Sequence, residues 1–224
     1  MSKGHIDIDV AQTTITNSIR LDQVGMSQIE CPVLIASHGS YQTRTPARVD
    51  AYVSLDEPQK GIHMSRLFLA VEKHLEKENL SPNLLIEIAK DFLASHKGLS
   101  KSAYIKVSFD YMIKRPALIS ENSGWRSYPV NLWASIHGVE RCGIDVVIRY
   151  SSTCPCSASL SRQLIQHQFD QDFEKYARIE KDQVRAWLGT EQSMAGTPHG
   201  QRSEGHIKTE LKSPSSNLKI LDDI

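Results

Sequence analysis

The chain has 224 residues, of which 40% are hydrophobic and 23% charged, and these values are typical of a soluble globular protein with one large domain or two ordinary ones. Lysine plus arginine and aspartate plus glutamate number 26 each, so the net charge is zero. A protein that binds nucleic acid or an anionic membrane usually carries a basic surplus, and this balance argues against both partners.

The N-terminal residues lack the apolar core of a signal peptide, and no stretch approaches the roughly 18 apolar residues of a membrane span. We therefore expect a cytoplasmic protein in which thiols stay reduced. Its four cysteines, Cys31, Cys142, Cys154 and Cys156, are then expected to be free, metal-bound or catalytic rather than paired in disulfides.

The first half of the chain predicts two strands, two helices and two further strands. Residues 1–18 are polar and predict a loosely held arm. Alternating apolar residues predict strands over 28–36 and 45–55, and later over 103–114 and 128–139, with a turn over 138–143. Apolar residues at helical spacing predict helices over 63–78 and from Pro82 to about His96, the second capped by Ser81. This order predicts an α+β fold, an antiparallel sheet with two helices across one face.

The second half begins to repeat that order of strands and helices. A strand is predicted over 144–152, helices over 157–172 and from Lys181, and a strand over 204–211. Leu218, Leu221 and Ile224 are spaced as in the opening of an amphipathic helix. The predicted organisation is therefore an arm over 1–18, a first module over 19–143 and a second, incomplete module over 144–224.

The segment Ser152-Thr153-Cys154-Pro155-Cys156-Ser157 places two thiols where a strand ends. Pro155 restricts Cys154 to extended geometry, so its sulfur can be held in a defined direction. Together with His199 and His206 these cysteines are the metal-capable residues of the second half, although zinc usually takes three or four protein ligands and His206 is expected to be exposed on a polar strand face. Buried inert thiols are the alternative that spacing alone leaves open.

A second candidate site lies in Gly61-Ile62-His63-Met64-Ser65-Arg66, at the start of the first predicted helix. Backbone N–H groups at a helix N-terminus, together with Arg66, could hold an anion. A simple turn into the helix with a surface arginine explains the same pattern, and spacing does not separate these two interpretations.

Four blocks resemble the signatures of the GTP cyclohydrolase IB family, in the family's order. They are Lys60-Gly-Ile-His-Met-Ser-Arg66, Ser152-Thr-Cys-Pro-Cys-Ser157, Ser161-Arg162 and Thr197-Pro-His-Gly-Gln-Arg-Ser203. The resemblance implies a tunnelling fold with two tandem modules, assembled as a homotetramer with sites between subunits.

The resemblance also implies an activity: hydrolysis of GTP to 7,8-dihydroneopterin triphosphate and formate, the first step of tetrahydrofolate biosynthesis, with a divalent metal (zinc, manganese or iron). Carried over residue by residue, Cys154 is a metal ligand and catalytic residue, Cys156 an auxiliary catalytic residue and His199 a metal ligand. His63, Arg66 and Arg202 become contacts to GTP.

Blocks that carry a further carboxylate and histidine in the family have no counterpart before Ile224. The alternative expectation is therefore a shortened, catalytically impaired relative that acts only as a subunit or as a weak purine or pterin binder.

Overall fold

The computed structural model describes residues 19–36, 42–56 and 60–214, which form an α+β fold with ten elements. The six strands form one antiparallel sheet in which their spatial order follows the chain. The elements are β1 (Leu21–Ala36), β2 (Gln42–Leu55), α1 (Met64–Leu75), α2 (Pro82–Ser95), β3 (Ser102–Pro116), β4 (Ser123–His137), β5 (Val139–Thr153), α3 (Pro155–Phe173), α4 (Lys181–Leu188) and β6 (Gly200–Glu210). The predicted α+β class and the order of elements are confirmed, and the architecture is compatible with a tunnelling fold. The predicted N-terminal arm and the last helical turn lie outside the described residues.

The core of the sheet follows from the alternation of apolar side chains in β2, β3 and β4, which in β2 is interrupted by the buried Asp50 and Ser54. Every second side chain in these strands faces α1 and α2 and is buried, because successive side chains of a strand point to opposite faces. The buried set includes Val49, Ala51, Val53, Ile105, Val107, Phe109, Val130, Leu132 and Ala134. In the register, Val49 lies opposite Val107 and Val107 opposite Leu132, so the apolar positions form continuous rows across the strands.

The two helices that cover this face begin and pack as their sequences predict. Ser81 caps α2 with its hydroxyl oxygen, which accepts a hydrogen bond from the Leu84 N–H at 3.1 Å, and Pro82 occupies the first turn. Leu67 and Val71 of α1 and Phe92 of α2 are fully buried, whereas Phe68 on the outer side of α1 is 39% exposed. The amphipathic pattern therefore selects which face of each helix meets the sheet.

The predicted turn over 138–143 is wrong. Strands β4 and β5 continue to a tight hairpin in which His137 pairs with Val139, and only Gly138 lies between them, at a φ of 72° that suits glycine. Gly143 lies inside β5 opposite Trp133, and a Cβ at this position would overlap the Trp133 indole and approach the Thr209 carbonyl oxygen to 2.5 Å. Gly143 is therefore required for close packing and does not mark a turn.

A β-bulge in β1 is held by a buried carboxylate. Gln28 adopts a φ of 57°, unusual for a residue with a side chain, between Met26 and Ile29 where the β1–β2 register shifts. Asp50 accepts the Gln28 N–H at 2.9 Å and pairs with Lys106 at 2.7 Å. Burial opposes ionisation of Asp50, but these hydrogen bonds from Lys106 and Gln28 outweigh it and lower the pKa of the carboxyl group.

The described residues divide into two compact units, one that runs to Val147 and resumes at His206, and one of Ile148–Gly205. The smaller unit contains α3 and α4, which are joined by an aromatic cluster of Phe169, Phe173 and Trp187. The Trp187 indole N–H donates to the Asp172 carboxylate at 2.7 Å. The predicted module boundaries at 18/19 and 143/144 stay a prediction.

Across the three described ranges, no helix is both long and apolar enough to cross a membrane.

Candidate active site

The thiol of Cys154 lies at the N-terminus of α3. Cys154 is the N-cap residue, with φ −61° and ψ 120°, and Pro155 occupies the first helical position. The extended geometry predicted from the following proline is confirmed. The Cys154 side chain makes no capping hydrogen bond and is half-buried, while Cys156 is exposed. The backbone at Cys154 is therefore restricted, and its sulfur lies at a helix end that favours negative charge.

The loop with His199 lies against the first turn of α3. The backbone N–H of His199 donates to the Ser157 hydroxyl at 3.1 Å, a contact between residues 42 positions apart. Four residues further on, the Ser203 hydroxyl contacts the Ser152 hydroxyl at 2.9 Å. These two contacts place the loop with His199 beside the first turn of α3, and the assignment of Cys154, Cys156 and His199 to one metal and catalytic site stays a prediction.

Arg202 lies in the same corner, on β6, and is exposed. Its neighbour Glu204 forms an ion pair with Arg149 of β5 at 2.8 Å. The guanidinium of Arg202 is thus open to solvent in the strand that follows the His199 loop, where it could contact an anionic ligand.

His63 and Arg66 lie in the larger unit, at the start of α1. The Arg66 guanidinium donates to the carbonyl oxygen of Ser95, the last residue of α2, at 2.7 Å. A cation is favourable at this helix end because the unpaired carbonyl groups carry partial negative charge. The contact fixes the direction of the Arg66 side chain, so Arg66 is more than an unrestrained surface arginine.

His96 lies in this region, and the sequence predicts no functional role for it. It is fully buried, its Nδ1 lies 2.9 Å from the Phe92 carbonyl oxygen, and its Nε2 accepts the backbone N–H of His63 at 3.2 Å. The carbonyl oxygen can only accept, so the proton is on Nδ1 and the ring is neutral. No local sequence signal reveals this pairing, because His63 and His96 are 33 residues apart.

We expect His96 to make stability fall as the pH drops below neutrality. Burial lowers the pKa of its ring, against the opposing effect of its hydrogen bonds to Phe92 and His63. An unfolded histidine has a pKa of about 6.5, so between that value and the lower folded pKa the unfolded state binds more protons. The free energy of unfolding in urea, measured from pH 7.5 down to pH 5, should decrease across this window. The decrease should be smaller in His96→Asn, and an identical slope in both proteins would contradict the assignment.

The predicted metal ligands among the described residues are two. A thiolate and an imidazole, from Cys154 and His199, are the soft and intermediate donors that zinc and iron accept. Within 19–36, 42–56 and 60–214, however, no three His, Cys, Asp or Glu side chains are placed to share an ion. A complete site of three or more protein ligands therefore requires donors other than these two.

These features define an α+β chain whose predicted site residues lie at the N-termini of α1 and α3, in the loop before β6 and on β6 itself. The family of type I GTP cyclohydrolases named folE2 matches residues 8–224, and the chain belongs to this family. The resemblance seen in the four signature blocks is confirmed at the level of the type I GTP cyclohydrolases, although the matching family bears the name FolE2 and not the IB designation.

Two curated relatives are named GTP cyclohydrolase FolE2. The protein from Bdellovibrio bacteriovorus is 46% identical over 207 residues, which cover 91% of this chain and 67% of the relative. The protein from Pseudoalteromonas translucida is 41% identical over 204 residues, which cover 90% of this chain and 67% of the relative. The similarity thus spans nearly all of this chain and about two thirds of each relative.

Proposed function

We propose that this chain is a GTP cyclohydrolase that hydrolyses GTP to 7,8-dihydroneopterin triphosphate and formate, the first step of tetrahydrofolate biosynthesis. The observation that carries the proposal is the family match over residues 8–224, with relatives named for this activity at 41–46% identity. The contact between the His199 loop and the first turn of α3 supports it independently, because residues from two signature blocks meet there.

Cys154 and His199 would hold a divalent metal, which can be zinc, manganese or iron, together with further donors. Held there, a divalent ion would supply hydroxide near neutral pH. Cys154 contributes from a helix N-terminus where negative charge on its sulfur is favourable. The exposed Cys156 lies two residues away as an auxiliary catalytic group.

The triphosphate and the base are proposed to contact His63, Arg66 and Arg202. Arginine is suited to phosphate because its planar guanidinium can donate two parallel hydrogen bonds. Arg66 already uses one nitrogen on the Ser95 carbonyl oxygen, so it is held in place before a ligand arrives. This restraint lowers the entropy that binding would otherwise cost.

The direct test is turnover of GTP. The purified chain, supplied with zinc, manganese or iron(II), should release formate and yield a pterin that fluoresces after oxidation. Formation of neither product with any of the three metals would contradict the proposal.

A second candidate function is a catalytically impaired relative that joins other subunits or binds purine or pterin weakly. The observation that favours it is that no three His, Cys, Asp or Glu side chains of the described residues are placed to share an ion, whereas a catalytic zinc usually has three protein ligands. Metal content measured by mass spectrometry separates the candidates: about one ion per chain fits the enzyme, and strongly sub-stoichiometric metal without turnover fits the impaired relative.

The proposed assembly is a homo-oligomer, a tetramer, of this chain. The connection between β3 and β4 supports it, because Leu118 and Ile119 are fully exposed there and Trp125 of β4 is 68% exposed. Large apolar side chains grouped at a hairpin end are characteristic of an interaction surface.

Replacing Leu118 and Ile119 together by aspartate should shift the chain to smaller assemblies, because two charges cannot be buried without partners. Sedimentation velocity measures the outcome. Asp replacements at Leu69 and Leu188, which are each 59% exposed, provide a control with equal added charge. An unchanged tetramer in the Leu118/Ile119 variant would exclude this hairpin end from the interface.

A further inference from the structure

The C-terminal end of α2 holds the segment that leads into α1 through two consecutive residues. Ser95 accepts the Arg66 guanidinium on its carbonyl oxygen at 2.7 Å, and the ring of His96 accepts the His63 backbone N–H at 3.2 Å. Each contact joins residues about 30 positions apart, so neither forms until the two helices have packed. Residues 63 and 66 are thus restrained by the same helix end, one through its backbone and the other through its side chain.

The His96 ring is itself fixed at both nitrogens. Its Nδ1 lies 2.9 Å from the Phe92 carbonyl oxygen and 3.1 Å from the Ser95 hydroxyl, on its own helix. With the proton on Nδ1, the lone pair on Nε2 is directed at the His63 N–H. The side chain is fully buried, so water does not compete for either nitrogen. A buried hydrogen bond without a water alternative costs more to lose than an exposed one.

We infer that His96 is a positioning residue for GTP binding: it holds the His63 backbone so that the His63 and Arg66 side chains are presented together. The inference rests on the proposed function, in which these two residues contact GTP. His96 acts through His63 and does not touch the ligand. Capping of α2 requires only Nδ1, so the bond from Nε2 to His63 is what distinguishes positioning from helix capping.

The two nitrogens can be tested separately with two amides. The Gln side chain in His96→Gln can place an oxygen near the position of Nε2 and retain the acceptor for His63. The Asn side chain in His96→Asn can place a donor near the position of Nδ1 and retain the bond to Phe92, but it does not reach His63. His74→Asn is the matched control, because His74 of α1 also joins the two helices, through Asp91 of α2 at 2.9 Å, away from His63.

We expect His96→Asn to raise the KM for GTP about 2- to 10-fold, the value of one hydrogen bond, with kcat nearly unchanged. His96→Gln and His74→Asn should keep the wild-type KM. Hydrogen exchange at the His63 amide should accelerate in His96→Asn and stay slow in His96→Gln. This second measurement needs no turnover, so it reads the contact itself.

Three results would overturn the inference. A wild-type KM in His96→Asn with a raised one in His96→Gln would assign His96 to capping of α2 alone. Equal KM increases in His96→Asn, His96→Gln and His74→Asn would indicate a general loss of helix packing. Failure of the wild-type chain to bind or convert GTP would contradict the proposed function before any variant is compared. The positioning role of His96 would then be contradicted as well.

Discussion

Replacing Cys154 by alanine should lower kcat/KM for GTP by more than about 100-fold. Loss of a residue that merely supports a metal ligand costs about 10- to 100-fold, and Cys154 is proposed to be a ligand itself. The variant should also contain less metal than the wild-type chain. Formate release and metal content, measured on the same preparations, check both expectations.

The fold should tolerate this change. Cys154 is half-buried and its side chain makes no capping hydrogen bond, so the free energy of unfolding should change by about 0.5 kcal/mol or less. Cys31→Ala is the matched control, because Cys31 is also half-buried but lies on β1, and burial raises the pKa of its thiol and keeps it neutral. Turnover retained in Cys154→Ala, or lost equally in Cys31→Ala, would contradict the catalytic assignment.

Replacing Phe92 by alanine should destabilise the larger unit by about 3–5 kcal/mol. Phe92 is fully buried on the side of α2 that faces the sheet, and removing its ring leaves a cavity that close-packed neighbours fill only in part. Urea unfolding followed by circular dichroism measures the change. The expected loss is a large fraction of the 5–15 kcal/mol by which folded proteins are usually stable.

Phe68→Ala on α1 is the matched comparison, because it makes the same substitution at an exposed position. Phe68 is 39% exposed, so we expect a loss of about 1–2 kcal/mol. Neither substitution removes the backbone carbonyl of residue 92 that binds His96. The difference between the two variants therefore measures side-chain packing and not that hydrogen bond. Equal losses in the two variants would show that Phe92 is not a main packing residue of this unit.

Much of the fold could be read from local patterns. Alternation in β3, at Ile105, Val107 and Phe109, predicts which side chains are buried, because a strand has a period of two. Ser81 and Pro82 mark the start of α2 within one residue, because capping uses neighbouring groups of the same chain segment. The extended geometry of Cys154 was likewise set by the next residue, Pro155.

The sequence proposes which residues belong to the candidate site, but it does not indicate the contacts that hold them in place. Signature blocks identified Cys154, His199 and Arg66, yet nothing local indicates that the His199 N–H meets Ser157 or that the Arg66 guanidinium meets Ser95. The contact of His96 with the segment before α1 has no local signal for the same reason. Its function as an acceptor depends on a backbone group that only the packing of α1 and α2 brings near.

By itself, then, the sequence determined the order of the elements and their buried faces, because each is encoded within a few neighbouring residues. Only the tertiary structure decided how Gly143 is used and what His96 holds. Gly143 looked like part of a turn, but it lies in a strand where the Trp133 ring and the Thr209 carbonyl leave no room for a side chain. The role of Cys154 stays a prediction, and the contact that places the His199 backbone against Ser157, in the first turn of α3, spans 42 residues.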